Sequence, residues 1–301
     1  MTETRLTKSK GALLVILAGV LWSTVGVAVK SMDEANSFQI LFYRSLSLTF
    51  YIGIISLVFY NNILFLIAKN FRSYFLGGLF LFCAYLGGIY SLQHTSAANA
   101  LILFACAPII TAFLAVYILR EIISVSTIVS IALALCGVLI MVWNDFGDAS
   151  FKGNLAAIGS AFGFALFTIN LRHNKNIEML PSVFASGIIG VSITSFIIFM
   201  SGISFMIPKK DLLISVSMGV FQVGSGLVLY TIGSKVLAST QLTILSLGEV
   251  FLGPLWVWIA IGEEIYLNTL IGGIIIFIFI LLDIQNLSFL YFFPFLILIT
   301  G

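Results

Sequence analysis

The chain has 301 residues, 60% of them hydrophobic and only 9% charged, with a formal net charge of +2. A soluble domain of this length needs far more polar surface, so the composition excludes one. The small net charge says little about partners, and nucleic acid is not expected among them; where the charges fall is more informative.

In chain order, the first apolar segment runs over 11–29 after Arg5, Lys8 and Lys10. It shows no small-residue cleavage pattern before Lys30, so it reads as a first spanning helix and not as a cleaved signal. Stretches free of Asp, Glu, Lys and Arg follow at 45–68, 122–144, 153–171, 179–208 and 212–234. Residues 73–119 form one charge-free run long enough for two spans, punctuated at Gln93-His94-Thr95. Two more spans carry one charge apiece, about 240–261 with Glu249 and 265–285 with Asp283. A spanning helix needs roughly 20 apolar residues. The prediction is an all-α integral membrane protein of ten transmembrane helices. Residues 286–301 form an apolar tail, interrupted by Pro294 and too short to span, for an interfacial or membrane-dipping role. Cys83, Cys106 and Cys136 fall within spans, form no CxxC pair and are expected as small packing residues.

The chain repeats itself at an offset of 142 residues: Gly11 maps onto Gly153, Gly77 onto Gly219 and Glu121 onto Glu263. Ser96-Ala97-Ala98-Asn99 likewise falls on Ala238-Ser239-Thr240-Gln241. The repeats are expected over 11–143 and 153–285, with an exposed turn at Asn144-Asp145-Phe146-Gly147-Asp148 between them. Five spans per copy is an odd number, so the second copy enters the membrane inverted, a geometry that permits alternating access. With the N-terminus in the cytoplasm, nine basic residues collect on the cytoplasmic side and four outside, which predicts that orientation in the cytoplasmic membrane. Small residues at four-residue spacing, Ser45-Thr49-Gly53 and Gly159-Gly163, are candidates for close helix approach.

Several motifs resemble the drug/metabolite transporter superfamily, in particular its ten-helix members with two EamA-type repeats. In the first copy these are Ala97-Ala98-Asn99-Ala100-Leu101, Ala107-Pro108 and Arg120-Glu121. In the second they are Ser239-Thr240-Gln241-Leu242, Leu247-Gly248-Glu249-Val250, Gly253-Pro254-Leu255-Trp256 and Gly262-Glu263. Phe42-Tyr43-Arg44 and Trp22-Ser23 are similar as well. The resemblance implies a secondary transporter of small metabolites, often an exporter, with a cavity lined by helices 1, 3, 4, 6, 8 and 9. Many members carry Glu-Pro on helix 9. Here Val250 follows Glu249, and Pro108 of the first copy aligns with Val250, so the kinks of the two copies need not match.

Glu249 is the sharpest candidate for chemistry, since a carboxylate at mid-bilayer costs about 2.5–3.5 kcal/mol unless it faces a cavity or a partner. It reads as a ligand for a substrate ammonium or as a proton-coupling acid; the alternative is a neutral structural acid bonded to a neighbouring helix. Arg44 lies seven residues inside helix 2, roughly 10 Å deep. It either snorkels to the headgroups or faces inward as an anion anchor or partner of Glu249. Asn99 and Gln241, at equivalent places, suit gates or helix caps. Gln222, Ser225 and Tyr230 on helix 8, with Tyr85 and Tyr90 on helix 3, could hydrogen-bond a substrate, and Trp22 and Trp256 could wall it. Glu121 and Glu263 are expected to cap or bond neighbouring helix starts.

No phosphate-binding Gly-x-x-x-x-Gly-Lys loop occurs, and His94 and His173 stand apart from any cysteine, so neither a built-in ATPase nor a metal or cofactor is predicted. The expected function is secondary active transport, in the efflux direction, of small metabolites such as amino acids, with protons as a coupling ion. The alternatives are uptake or exchange of a sugar phosphate or nucleotide-linked sugar, for which Arg44 is the one available cation, and beyond those a channel or an intramembrane enzyme.

Overall fold

A computed structural model of the chain describes residues 6–59, 67–95, 97–141, 150–262 and 267–278. Every regular element among them is helical. In chain order they are α1 (Lys8–Lys30), α2 (Ser37–Phe59), α3 (Phe71–His94), α4 (Ala97–Phe104 and Ala107–Leu119) and α5 (Val125–Met141). The second copy follows as α6 (Phe151–His173), α7 (Leu180–Met200), α8 (Lys209–Gly233), α9 (Ser239–Ser246 and Gly248–Ile261) and α10 (Leu267–Ile278). Seven of these, α1–α3 and α6–α9, are long and apolar enough to cross a membrane; the second piece of α4, α5 and α10 are shorter apolar helices. The predicted turn at 144–148, Glu263 and the tail 286–301 lie outside the described residues.

Two boundaries differ from expectation for local reasons. The apolar stretch 179–208 is helical only to Met200, because Gly202 takes a left-handed φ of 64° and turns the chain out. Gln93 and His94 stay inside α3, which ends on an extended Thr95.

The halves interleave instead of lying side by side. α3 packs most extensively on α6, and the offset of 142 turns that seam into α8 on α1, also present. α7 on α3 becomes α2 on α8 in the same way, and α2 on α7 is its own counterpart. The repeated glycines explain two of the seams. A Cβ on Gly11 would overlap Val236 and crowd Leu237; one on Gly153 would strike His94 and Thr95, the equivalents of those residues. On α2, Ser45 and Thr49 abut Gly187 and Gly190 of α7, so this spacing does mark a tight seam. The Gly159-Gly163 pair divides: Gly163 meets the Ala84 backbone, while Gly159 faces open space.

The large buried cluster is shared by both copies and includes Trp22, Leu48, Tyr74, Phe164, Phe167, Tyr230 and Leu242. A smaller one, with Ile40, Leu41, Ile89 and Met218, sits toward the Lys30 end of α1. Phe50, Ile54, Leu57, Phe196, Phe199 and Phe221 are exposed, as a bilayer solvent allows. Cys83 and Cys136 belong to that exposed surface, which corrects their expected role as packing residues; apolar thiols satisfy lipid as well as core.

Polar clamps close both ends of the bundle. At the Lys30 end, the buried Asp211 carboxylate accepts the backbone N–H groups of Asp33, Glu34 and Ala35, each at 2.9 Å, tying the α1–α2 connection to α8. Gln93 donates to the Ala35 carbonyl and accepts from Ser37. At the Lys8 end, Glu121 accepts from Arg172 Nε at 2.9 Å, from Ser239 Oγ at 2.7 Å and from Ser239 N–H at 3.2 Å. Glu121 of the first copy thereby caps α9 of the second.

Candidate functional site

α4 and α9 are both interrupted, and at equivalent places. α4 breaks at Ala105–Cys106, and α9 at Leu247, the residue onto which the offset carries Ala105. Pro108 stands in the first turn of the second piece of α4; α9 breaks at the same place with no proline there. The two copies thus interrupt this helix at the same place although their prolines differ in position. In α9 the chain tightens through i→i+3 bonds, Leu247 N–H to Ile244 O at 3.1 Å and Val250 N–H to Leu247 O at 3.0 Å. α1 comes close at Gly19, where a Cβ would stand 3.6 Å from the Ser246 carbonyl and 3.8 Å from the Glu249 nitrogen. Such discontinuous helices are where secondary transporters assemble their sites.

Glu249 occupies the first turn of the second piece of α9, where the helix dipole favours a carboxylate. Its residue is half-buried and its carboxyl is within electrostatic reach of the Tyr230 hydroxyl. Among the described residues it makes no hydrogen bond and no ion pair. Its carboxyl is thus not taken up by a partner among the described residues.

Tyr230 belongs to an aromatic trio drawn from both copies. Trp22 of α1 meets Phe164 of α6 edge-on with ring centroids 5.8 Å apart, and Tyr230 of α8 packs on both at 5.2 and 5.5 Å. Trp22 and Phe164 are related by the offset of 142, so the two rings face each other as equivalents. Phe104 of α4 extends the wall, 5.8 Å from Phe164. Tyr230 is fully buried, with its hydroxyl 2.8 Å from Thr168 Oγ1. Phe164, Phe104 and Thr168 were not picked out by sequence reasoning, although applying the offset to Trp22 lands on Phe164.

The middle of α8 is a π-helical segment, Met218–Ser225, that holds two predicted residues. π segments recur at functional sites because they re-aim side chains. Gln222 donates Nε2 to the Trp22 carbonyl at 3.2 Å, and its Oε1 is buried with no partner. Ser225 Oγ lies 3.0 Å from the Tyr51 hydroxyl. Trp256 does not join the trio: its Nε1 donates to Ser23 Oγ at 2.8 Å, fastening α9 to the break in α1 between Trp22 and Val25.

Arg44 does not snorkel and does not pair with Glu249. Its residue is only 4% exposed, and its guanidinium lies over the Tyr85 ring, 4.5 Å from the centroid. No carboxylate or carbonyl among the described residues accepts from that guanidinium. A cation–π contact is worth about 0.5–2 kcal/mol. That is less than the several kcal/mol an unpaired buried cation costs. The Tyr85 hydroxyl is likewise buried, with Ser186 as its polar neighbour.

The remaining predicted residues are set apart from Glu249. Tyr90 stacks on His94 at 3.8 Å near the end of α3. Gln241 Oε1 accepts the Ala238 N–H at 3.2 Å, which makes it a cap of α9 and removes it from the ligand-facing set. Asn99 falls in the first turn of α4, and its side chain is outside the described residues. A shallow apolar cleft beside Phe251, Pro254, Leu255, Thr269 and Leu270 carries no charge. Among the described residues no group of three His, Cys, Asp or Glu is placed to hold a metal.

Known proteins place this architecture. A segment of 99 residues is 35% identical to the uncharacterized transporter YetK of Bacillus subtilis (strain 168), covering 31% of this chain and 29% of that protein. The matched segment therefore spans less than a third of that relative's length. A protein crystal structure with 17% sequence identity superposes with a TM-score of 0.81 over 93% of this chain and 99% of its own, a likeness of fold alone. The EamA-like transporter family matches twice, over residues 9–143 and 151–284, one match for each copy. The chain belongs to the EamA-like transporter family and is a multi-pass membrane transporter of the drug/metabolite transporter superfamily.

Proposed function

We propose that this transporter is a proton-coupled secondary carrier that exports small amphipathic metabolites, amino acids first among them, from the cytoplasm. The observation that carries the proposal is Glu249: a carboxyl at the break of α9, without a partner among the described residues and within electrostatic reach of Tyr230. An acid so placed can hold a proton in one orientation of the carrier and release it, or meet a substrate ammonium, in the other. The trio of Trp22, Phe164 and Tyr230 supplies apolar and cation–π contact for the rest of the molecule. Gln222, with its open carbonyl oxygen, offers an acceptor one turn from Gly226, where a Cβ would overlap the Trp22 indole.

The two copies, 11–143 and 153–285, are the moving halves, and their interleaved seams let both rock about one central site. The N-terminus lies in the cytoplasm and the protein in the cytoplasmic membrane, supported by the nine-to-four basic bias. Exchange of phosphorylated sugars is disfavoured: a phosphate dianion calls for several cations, and Arg44 is the only Lys or Arg buried among the described residues.

Counterflow in proteoliposomes tests the proposal. Saturable exchange of a labelled amino acid, driven uphill by a pH gradient, is the expected result. Flux that grows without saturation would establish a pore and overturn the carrier.

A further inference from the structure

We infer that Arg44 and Tyr85 form an anion-recognition subsite, separate from Glu249, that takes the carboxylate of the transported molecule. This rests on the carrier reading above and adds the substrate's charge to it.

The donors come first. A guanidinium carries five N–H groups and no acceptor, and none of those groups is bonded among the described residues, although Arg44 is 4% exposed. Tyr85 supplies its ring to the cation, and its hydroxyl is buried with Ser186 as a polar neighbour. Ser186 stands beside Tyr85 with its own hydroxyl already donated to the Val183 carbonyl. A buried guanidinium with one positive charge and five N–H donors, none of them bonded among the described residues, is complementary to an acceptor-only monoanion, which a carboxylate is.

No carboxylate among the described residues fills that role. Asp211 is engaged by three backbone N–H groups at the end of the bundle. Glu249 is placed toward Tyr230, whereas the Arg44 backbone abuts Gly219, eleven residues earlier on the same helix. The two residues thus approach α8 at different points, and an acid without an amine fits the Arg44–Tyr85 subsite as well as an amino acid does.

The repeat argues that the cation is not there for the fold. Arg44 maps onto Ser186, and both approach Tyr85 where α2, α3 and α7 meet. The scaffold closes around a serine on one side of that seam. The arginine on the other side brings a buried charge that packing does not require.

The test uses the full chain in phosphatidylcholine nanodiscs, titrated with leucine, 4-methylpentanoate and leucine methyl ester while tryptophan fluorescence reports binding. Both acids should bind and the ester should bind at least tenfold more weakly. Arg44→Gln should weaken the acids by about ten- to a hundredfold, the range for a hydrogen bond to a charged group. Arg44→Lys should recover part of that loss, and Tyr85→Phe should cost a smaller factor. Glu249→Gln should leave the preference for leucine over leucine methyl ester unchanged, since both carry the ammonium, so an effect at Glu249 and loss of this subsite are told apart. Unchanged ester binding reports that Arg44→Gln is folded; if that variant does not fold, Tyr85→Phe and the wild-type preference decide. Equal affinity for acid and ester, acid binding untouched by Arg44→Gln, or binding of neither acid overturns the inference. So does an Arg44-dependent response to phosphatidylglycerol nanodiscs without any response to the acids, which would assign the cation to a lipid phosphate.

Discussion

Asp211→Asn isolates the clamp at the Lys30 end with almost no change of shape. The carboxylate takes the Asp33 N–H on one oxygen and the Glu34 and Ala35 N–H groups on the other, all at 2.9 Å. An asparagine in the best orientation keeps the two-bond oxygen and turns its NH2 toward Asp33, so a donor meets a donor. One charge-assisted bond is lost, at about 1.5–3 kcal/mol, and the other two lose their charge assistance, at roughly 0.5–1 kcal/mol each. The sum is about 2.5–5 kcal/mol of stability. The neighbouring Lys210–Asp33 pair is the control: both side chains are 55% exposed, so Lys210→Ala should cost less than about 0.5 kcal/mol. Reversible unfolding by sodium dodecyl sulfate in mixed micelles measures both. A cost for Asp211→Asn no larger than that for Lys210→Ala would refute the reasoning.

Gly226→Ala should destabilise by about 1–3 kcal/mol, because the added methyl overlaps a Trp22 indole held by Phe164 and Tyr230; the thermal midpoint in detergent checks it. Tyr230→Phe removes one buried hydrogen bond to Thr168 and should cost about 0.5–1.5 kcal/mol by the same micelle titration. Glu121→Ala leaves Arg172 and the Ser239 N–H without their acceptor and should cost about 2–4 kcal/mol, with the first turn of α9 exchanging its amide hydrogens faster. Gly159→Ala, facing open space, should stay within about 0.5 kcal/mol of wild type, whereas Gly163→Ala against the Ala84 backbone should not.

The membrane class, the ten crossings and the doubled architecture were legible because each rests on a long apolar stretch or on a fixed offset. Glu249 and Arg44 stood out too, as charges inside otherwise charge-free segments, but whether Arg44 snorkels or turns inward was not legible. What escaped depended on side chains meeting across the fold. Asp211 reads as one more loop acid until the α1–α2 connection is seen to fold over it. Phe164 is one phenylalanine among 28 until Trp22 is placed opposite it. The break of α9 without a proline at 250 could not be read from composition, since a few i→i+3 bonds and the approach of Gly19 produce it. Trp256 and Gln241 show the converse: their residue types suit a binding site, yet one fastens α1 and the other caps α9.

Glu249→Gln is the most direct test of the carrier mechanism, because it keeps the shape of the side chain and removes only its ability to exchange a proton. In proteoliposomes, amino-acid counterflow without a pH gradient should persist in the variant, while accumulation driven by a pH gradient should be lost. Accumulation that responds to the gradient as strongly as in the wild type would make Glu249 a structural residue and contradict the account.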